Sequence, residues 1–559
     1  MKMDMIIQNA NVYNSFTQSF SKKDVAIKDG QFVYIADRIR NNNTLCIDVK
    51  GRYMIPALVD IHMHIESSMS IPTRFSDAVL PLGTTTVVAD PHEIANVFGL
   101  EGIQAYMSSA SALDIFYGIP SSVPSTNEKL ETTGGKIGIE EIEELLRDPR
   151  IICLGEVMNF HDVCYEPNSL SANIIKTCKK IRSDLPIEGH CPKVSGEELA
   201  MFIANGVNAD HTQQTSQSVI EKIESGMFLE IQRKSMTPDV MKTLINNQYY
   251  EYFAFVTDDV MADKLTKGHL NELVIKAVEM GMPFEKALYC ATFTPARRMH
   301  LEDRGAIAPG RIADFIILND TTTFSIDAVY KNGKIVEKES QTISFPEHFY
   351  HSIKCNKAIQ SNFMIPLQGK KAKVNVMAIE EHSTFTKHEQ VEMNIDNGFL
   401  NFDGYCLLTV FERYGKNGNI AHAIVKNALK KQGAIATSWA HDHHNVIVLG
   451  NNTKDMMIAQ HTLIDMQGGY VVVSEGKVIA TVQLEIGGIV SERPIEILGE
   501  ELKQVRNAME ELGYRHDNVI MSCSTLSLPV SPELKISDVG MINTRKQCIV
   551  PLVEEIYDN

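Results

Sequence analysis

Apolar and polar residues alternate along the first fifty positions, with turns at Lys28-Asp29-Gly30 and Lys50-Gly51-Arg52. That period of two predicts short antiparallel strands. A similar pattern returns after residue 304, at 305–310, 313–318 and 329–336. Two strand-rich flanks around one large block predict a single small β-sandwich domain built from both sides. Within the block, apolar runs predict strands at 54–60, 84–90, 115–119, 151–156, 186–190, 206–211, 227–232 and 253–258. Between most of them the apolar spacing lengthens to that of an amphipathic helix, as at 139–146 and 197–203. Eight strands with intervening helices over roughly 250 residues is the size of a (β/α)8 barrel of TIM type. After about residue 370, strand-like runs at 433–437, 445–450 and 470–473 alternate with helical ones at 454–466 and 495–512. The expected class is α/β. Its expected division is 1–52 and 301–370 for the small β domain, 53–300 for the barrel, and 371–559 for a C-terminal α+β domain.

Reactive groups in such barrels sit at the C-terminal ends of the strands. His62, His64, Glu156, His190, His211 and Asp258 all fall at such ends. His62 and His64 are two apart on a strand, so they project to the same side and can grip one ion together. Taken singly, each histidine reads as a surface or hydrogen-bonded core residue, and Asp258 as a helix N-cap. Ligand-type residues ending several successive strands of one barrel-sized segment outweigh those separate readings. Imidazole and carboxylate donors without cysteine suit Zn²⁺, Mn²⁺ or Fe²⁺ and disfavour a purely structural zinc. Four histidines and an aspartate exceed what one tetrahedral ion with an open position needs. A pair of ions is expected, or one ion plus a catalytic Asp258. Two ions need a bridging carboxylate, and Glu93 (in Asp90-Pro91-His92-Glu93) and Glu156 are both placed for it. A bound ion lowers the pKa of its water to about 7, and Asp258 is the residue expected to pass on the proton.

Composition narrows the partners. A chain of 559 residues exceeds one ordinary core. Its net charge of −17 argues against nucleic acid and anionic membranes, whose phosphates it would repel. No stretch reads as a signal peptide or as an 18-residue apolar span. Ten cysteines without a Cys-x-x-Cys pair indicate neither a zinc knuckle nor a disulfide framework, so a cytoplasmic location is expected.

Longer motifs carry a resemblance. Pro56-Ala57-Leu58-Val59-Asp60-Ile61-His62-Met63-His64-Ile65-Glu66-Ser67-Ser68 resembles the strand-one signature of the amidohydrolase superfamily, in its adenine deaminase branch. The runs 81–97, 305–314, 439–445 and 527–535 are similar to that branch as well, so the resemblance spans essentially the whole chain. It implies a divalent-metal enzyme, with Mn²⁺ or Fe²⁺ and Zn²⁺ as an alternative, that converts adenine and water to hypoxanthine and ammonia. It implies ligands at His62, His64, His190, His211 and Asp258, with Glu93 and Glu156 as bridge or proton-shuttle candidates. The catalytic set it implies is Asp258, Glu156 and Glu93. The partner is then a small purine, and a homodimer is the expected assembly. The alternatives are an amidohydrolase acting on another aminopurine or a cyclic amide, and a non-catalytic paralogue that binds purine or metal.

Two positions depart from the branch. Asp210-His211-Thr212 stands where relatives carry Asp-His-Glu, and Thr257-Asp258-Asp259 continues into Val260-Met261-Ala262-Asp263 instead of an Arg and a His-Pro pair. Both lie beside ligands, so they predict a shifted substrate-reading shell around an intact metal site, and Thr212→Glu is expected to raise kcat/KM for adenine. The segment His441-Asp442-His443-His444-Asn445 reads two ways. It covers the barrel mouth or holds an extra metal, or it is a polar turn capped by Asp and Asn.

Overall fold

Eight parallel strands form the barrel: Leu58–Met63, Thr84–Ala89, Asp114–Ile119, Ile151–Val157, Ile187–Gly189, Ala209–Asp210, Phe228–Ile231 and Phe253–Phe255. This computed structural model describes residues 3–40, 44–337 and 344–558. Residues 338–343, inside the second expected β segment, lie outside the described residues, as do 1–2, 41–43 and 559. Thr84-Thr85-Thr86-Val87-Val88-Ala89 is typical of the barrel strands: β-branched up to its final alanine and buried at every position, as a parallel strand covered on both faces must be. The ring closes in two places. Between the fifth and sixth strands, the Asn208 N–H donates to the Ile187 carbonyl at 3.0 Å. Between the eighth and first, the Asp258 N–H donates to the His62 carbonyl at 3.1 Å.

The apolar run 54–60 does not form one strand. Tyr53–Pro56 pairs antiparallel with Phe315–Asp320, whereas Leu58–Met63 pairs parallel with Thr84–Ala89. The switch takes one residue: the Ala57 N–H goes to the Asp314 carbonyl (3.1 Å) and the Leu58 N–H to the Gly83 carbonyl (2.9 Å). Both halves are buried, so hydrophobicity alone carries no sign of the break.

Strands from both flanks build one eight-stranded sheet, in which Tyr53–Pro56 lies between Met5–Asn14 and Phe315–Asp320. Met5, Ile7, Val25, Phe32, Met54 and Phe315 pack together as its own core. The alternate residues Tyr13, Ile55 and Ile316 pack instead with Leu288 and Phe293 of helix Phe284–Arg298, which fixes the sheet to the barrel.

The C-terminal part is a ten-stranded, mostly antiparallel sheet with helices Thr453–Asp465 and Ile495–Glu511. It shares a continuous apolar core with the barrel: Trp439, Leu498 and Leu502 belong to the same cluster as Ile65, Met261 and Leu265. Close helix approach tightens this seam, since a Cβ on Gly499 would sit 3.0 Å from the Ala262 carbonyl oxygen. Arg506 then reaches both oxygens of the buried Asp263, at 3.0 and 3.1 Å. Asp263 of the departing segment therefore anchors the C-terminal part, and its carboxylate is spent on Arg506 rather than on a small molecule. No helix among the described residues is long and apolar enough to cross a membrane.

Candidate metal centre

Six residues from five separate stretches of the barrel sequence meet at one rim. His62 and His64 leave the first strand on one side, with ring centroids 5.2 Å apart. Glu156, in the fourth strand, stands opposite them: its Oε1 is 3.5 Å from His64 Nε2. Its other oxygen, Oε2, is 2.8 Å from His190 Nδ1 and 3.2 Å from His211 Nε2. Asp258 Oδ1 lies 3.5 Å from His64 Nε2 and 3.9 Å from His62 Nε2. Its backbone reaches that position at φ +57°, a left-handed conformation that Asp tolerates better than most residues and that turns the carboxylate back toward the first strand.

These separations carry information. Distances of 3.5–3.9 Å between His64, His62, Glu156 and Asp258 are too long for hydrogen bonds. They come close to the edge of a coordination shell whose bonds are about 2.1 Å, since donors around such an ion sit roughly 3.0–3.4 Å apart. His62, His64 and Glu156 bring three donor atoms within 4.8 Å of one another, and so do Glu156, His190 and His211. Glu156 is common to both groups, with one oxygen toward each. A carboxylate between two ligand sets is the arrangement a pair of cations needs.

The neighbours of each rim group set its tautomer and charge. His64 Nδ1 donates to the Asp90 carbonyl at 3.0 Å, which turns Nε2 to the centre. Burial would lower the His64 imidazole, but Asp258 and Glu156 outweigh it and raise it well above its usual range, and Glu156 likewise lifts His211 to about 9 against its burial. Burial, with His211 and His64 nearby, pushes the His62 imidazole well below its usual range, so it stays neutral as a ligand must. His62 Nε2 is buried and, among the described residues, without a hydrogen-bond partner. Burial alone would raise the Glu156 carboxyl, but His211 and His190 outweigh it and hold Glu156 well below the carboxylate range. Among the described residues, Glu156 and Asp258 form ion pairs with histidines and with no Lys or Arg. Two buried anions without a fixed cation are matched to a divalent metal.

Several residues that the sequence pattern passed over support this rim. The Glu156 N–H donates to Asp90 Oδ2 at 2.8 Å, and a Cβ on Gly155 would collide with that same carboxylate. Glycine is therefore required beside Glu156. Glu230, buried in the seventh strand, lies 3.8 Å from His62 Nδ1 and groups with His62 and His211. Asp259 accepts from the Ser67 hydroxyl at 2.5 Å and groups with His64 and Asp258. His92 Nδ1 is 3.8 Å from Glu156 Oε1, and its Nε2 is 3.6 Å from Glu93 Oε1. The motif 90–93 was the available signal for Asp90 and His92; Glu230 had none beyond being a charge in an apolar strand.

Glu93 stands apart from the six. It lies one imidazole away, beyond His92, and its two oxygens face His441 and His444 of the C-terminal part. Burial would raise its carboxyl, yet His441, His444 and His92 hold it well below the usual range, so Glu93 is ionised. Phe160 packs on Phe202 with centroids 5.3 Å apart and belongs to the helical layer.

Thr212 corrects an expectation. His211 meets Glu156, whereas the polar contacts of Asp210 run to Thr212, Gln214, Lys222 and the Cys191 N–H. The Thr212 hydroxyl lies 2.9 Å from Asp210 Oδ2, and that carboxylate pairs with the buried Lys222 ammonium at 2.7 Å. The position is part of a closed polar network behind the rim, not of a substrate-reading shell. Thr212→Glu is therefore expected to place a second anion beside Asp210 and to cost about 2–4 kcal/mol of stability. A urea-denaturation midpoint equal to wild type would contradict this.

Comparisons with known proteins agree with the geometry. The family model described as "Amidohydrolase family" matches residues 53–336, and "Adenine deaminase C-terminal domain" matches 383–548. An adenine deaminase of Clostridium perfringens is 51% identical over 99% of this chain and 100% of its own length. Adenine deaminase 2 of Oenococcus oeni is 49% identical over 99% of both chains. An adenine deaminase of Lactobacillus delbrueckii is 46% identical over 99% of this chain and 100% of its own. With an eight-stranded barrel, a rim of histidines and carboxylates, and relatives alike from end to end, the chain belongs to the adenine deaminase family of the amidohydrolase superfamily.

Proposed function

We propose that this chain deaminates adenine hydrolytically, taking up water and releasing hypoxanthine and ammonia. The single observation that carries the reading is Glu156, with one oxygen toward His64 and the other toward His190 and His211. In this reading His62, His64 and Asp258 would hold one divalent ion and His190 and His211 a second, with Glu156 available to both; Mn²⁺ or Fe²⁺ would suit such a donor set. When bound, such ions bring a water molecule near pKa 7 and offset negative charge developing on the substrate.

The remaining work falls to the chain itself. Asp258 faces His62 and His64 and takes the proton released when water adds to C6 of the purine. It then returns that proton to the ring nitrogen beside C6, and the hydroxyl proton of the resulting tetrahedral carbon passes to the amine, so that the C–N bond breaks, ammonia leaves and the carbonyl forms. Glu93, kept ionised by His441 and His444, is an acceptor for the N–H groups at the reacting edge of the purine. Burial of the rim keeps competing water out: His62, His64, Glu156, His211 and Asp258 are all buried. The proposed division is 53–300 as the hydrolase barrel, 1–52 plus 301–370 as the small β domain and 371–559 as the C-terminal α+β domain. A cytoplasmic homodimer is the proposed setting, and ten unpaired cysteines support a reducing compartment.

Ammonia release from adenine, other aminopurines and dihydropyrimidines, measured with the Mn²⁺-loaded protein, tests the reading. Adenine is expected to give the highest kcat/KM of the panel. Turnover of a cyclic amide without turnover of adenine would overturn it.

A further inference from the structure

The motif 441–445 is not used by the metal centre, yet it is buried deep in the seam between the barrel and the C-terminal part. His441 is 5% exposed, and His443, His444 and Asn445 are 0% exposed. The loop is held from several directions. The His441 N–H donates to Ser524 Oγ at 3.1 Å, the Ser527 hydroxyl donates to the His441 carbonyl at 3.1 Å, and the Tyr414 hydroxyl donates to the His443 carbonyl at 2.7 Å. Two of its imidazoles therefore have fixed orientations, and both point at one residue of the barrel. Glu93, on helix His92–Phe98, meets His441 Nδ1 with Oε1 and His444 Nε2 with Oε2.

The tautomer of His444 decides what this contact is. Its Nδ1 accepts the Ala440 backbone N–H at 3.2 Å, so its ring hydrogen sits on Nε2 and points at Glu93. An imidazole that accepts at one nitrogen donates at the other, so His444 is a hydrogen-bond donor here and not a cation ligand. His441 uses the opposite atom, Nδ1, and its Nε2 has no partner among the described residues. Both carboxylate oxygens of Glu93 thus face ring nitrogens from a distant segment, His444 lying 351 positions away along the chain. Its remaining imidazole neighbour is His92, which also faces Glu156.

We propose that His441 and His444 are positioning residues for Glu93: two imidazole N–H groups carried by the C-terminal part fix a carboxylate of the barrel, so the reaction centre is complete only across the seam. The inference rests on the reading above, in which Glu93 meets the substrate. It explains why the C-terminal part is fused into the barrel's core.

Amide replacements separate positioning from packing, because the side-chain nitrogen of Gln reproduces the reach of Nε2 and that of Asn the reach of Nδ1. His444→Gln is expected to keep kcat/KM for adenine within about threefold of wild type, and His444→Asn to lose roughly ten- to hundredfold, the range for a charge-assisted hydrogen bond. At His441 the order reverses: Asn retains activity and Gln loses it. Metal content and melting temperature, read on all four variants, are expected to stay at the wild-type level. In a Glu93→Ala background the same replacements are expected to add no further loss. The same rank order at both positions, or additive losses with Glu93→Ala, would overturn the proposal. A wild-type enzyme with no adenine turnover would overturn the functional reading itself, and this inference with it.

Discussion

Glu156→Ala is expected to remove adenine turnover by on the order of 10³-fold or more and to lower bound metal in the same preparation. The size of the effect follows from position. Glu156 belongs both to the group with His62 and His64 and to the group with His190 and His211. Its oxygens lie 3.5 Å from His64 Nε2 and 2.8 Å from His190 Nδ1, so deleting it removes an anion from both sides together. The four imidazoles would then face one another with one carboxylate fewer to balance any ion placed between them. Glu156→Gln keeps the volume and one acceptor oxygen but not the charge, so it is expected to hold the fold and still lose most of the metal. Metal analysis and ammonia release on the same sample check both statements. Full metal content in the Ala variant would remove Glu156 from the centre.

Asp258→Asn is expected to leave the fold and much of the metal in place while kcat falls by about 10²–10⁴-fold, the usual weight of a positioned acid–base group. An amide preserves the shape of the side chain and still offers an oxygen toward His62 and His64, but it cannot carry a proton between water and the leaving amine. The left-handed backbone at φ +57° supports the choice of Asn, which also tolerates that region, so the substitution adds little strain. Circular dichroism and metal content are the controls. A kcat near wild type would show that the proton travels by another route.

Much of this was legible before the fold was known. Seven of the eight barrel strands announce themselves as apolar runs of the right length, and the ligand-type residues stand at their ends, where such barrels do chemistry. What stayed hidden depends on tertiary contact. The first strand hides its break at Ala57 because both halves are buried, one against Phe315–Asp320 and the other inside the barrel. Glu93 and Glu156 read alike along the chain, each following a strand. They are separated by their neighbours, His441 and His444 for one and His190 and His211 for the other. Thr212 read as a specificity position because it adjoins His211. Its hydroxyl is instead bound to Asp210, whose carboxylate pairs with Lys222. Glu230 had no signal at all, since an acidic residue in an apolar strand gains meaning only when His62 is found 3.8 Å away.

The central claim is that one carboxylate joins two cation sites at the barrel rim. Anomalous X-ray diffraction at the manganese edge, from crystals of the Mn²⁺-loaded protein, tests it most directly. Two peaks are predicted, about 3.5–4 Å apart, one on the His62 and His64 side of Glu156 and one on the His190 and His211 side. A single peak, or a pair that Glu156 does not touch, would contradict the account.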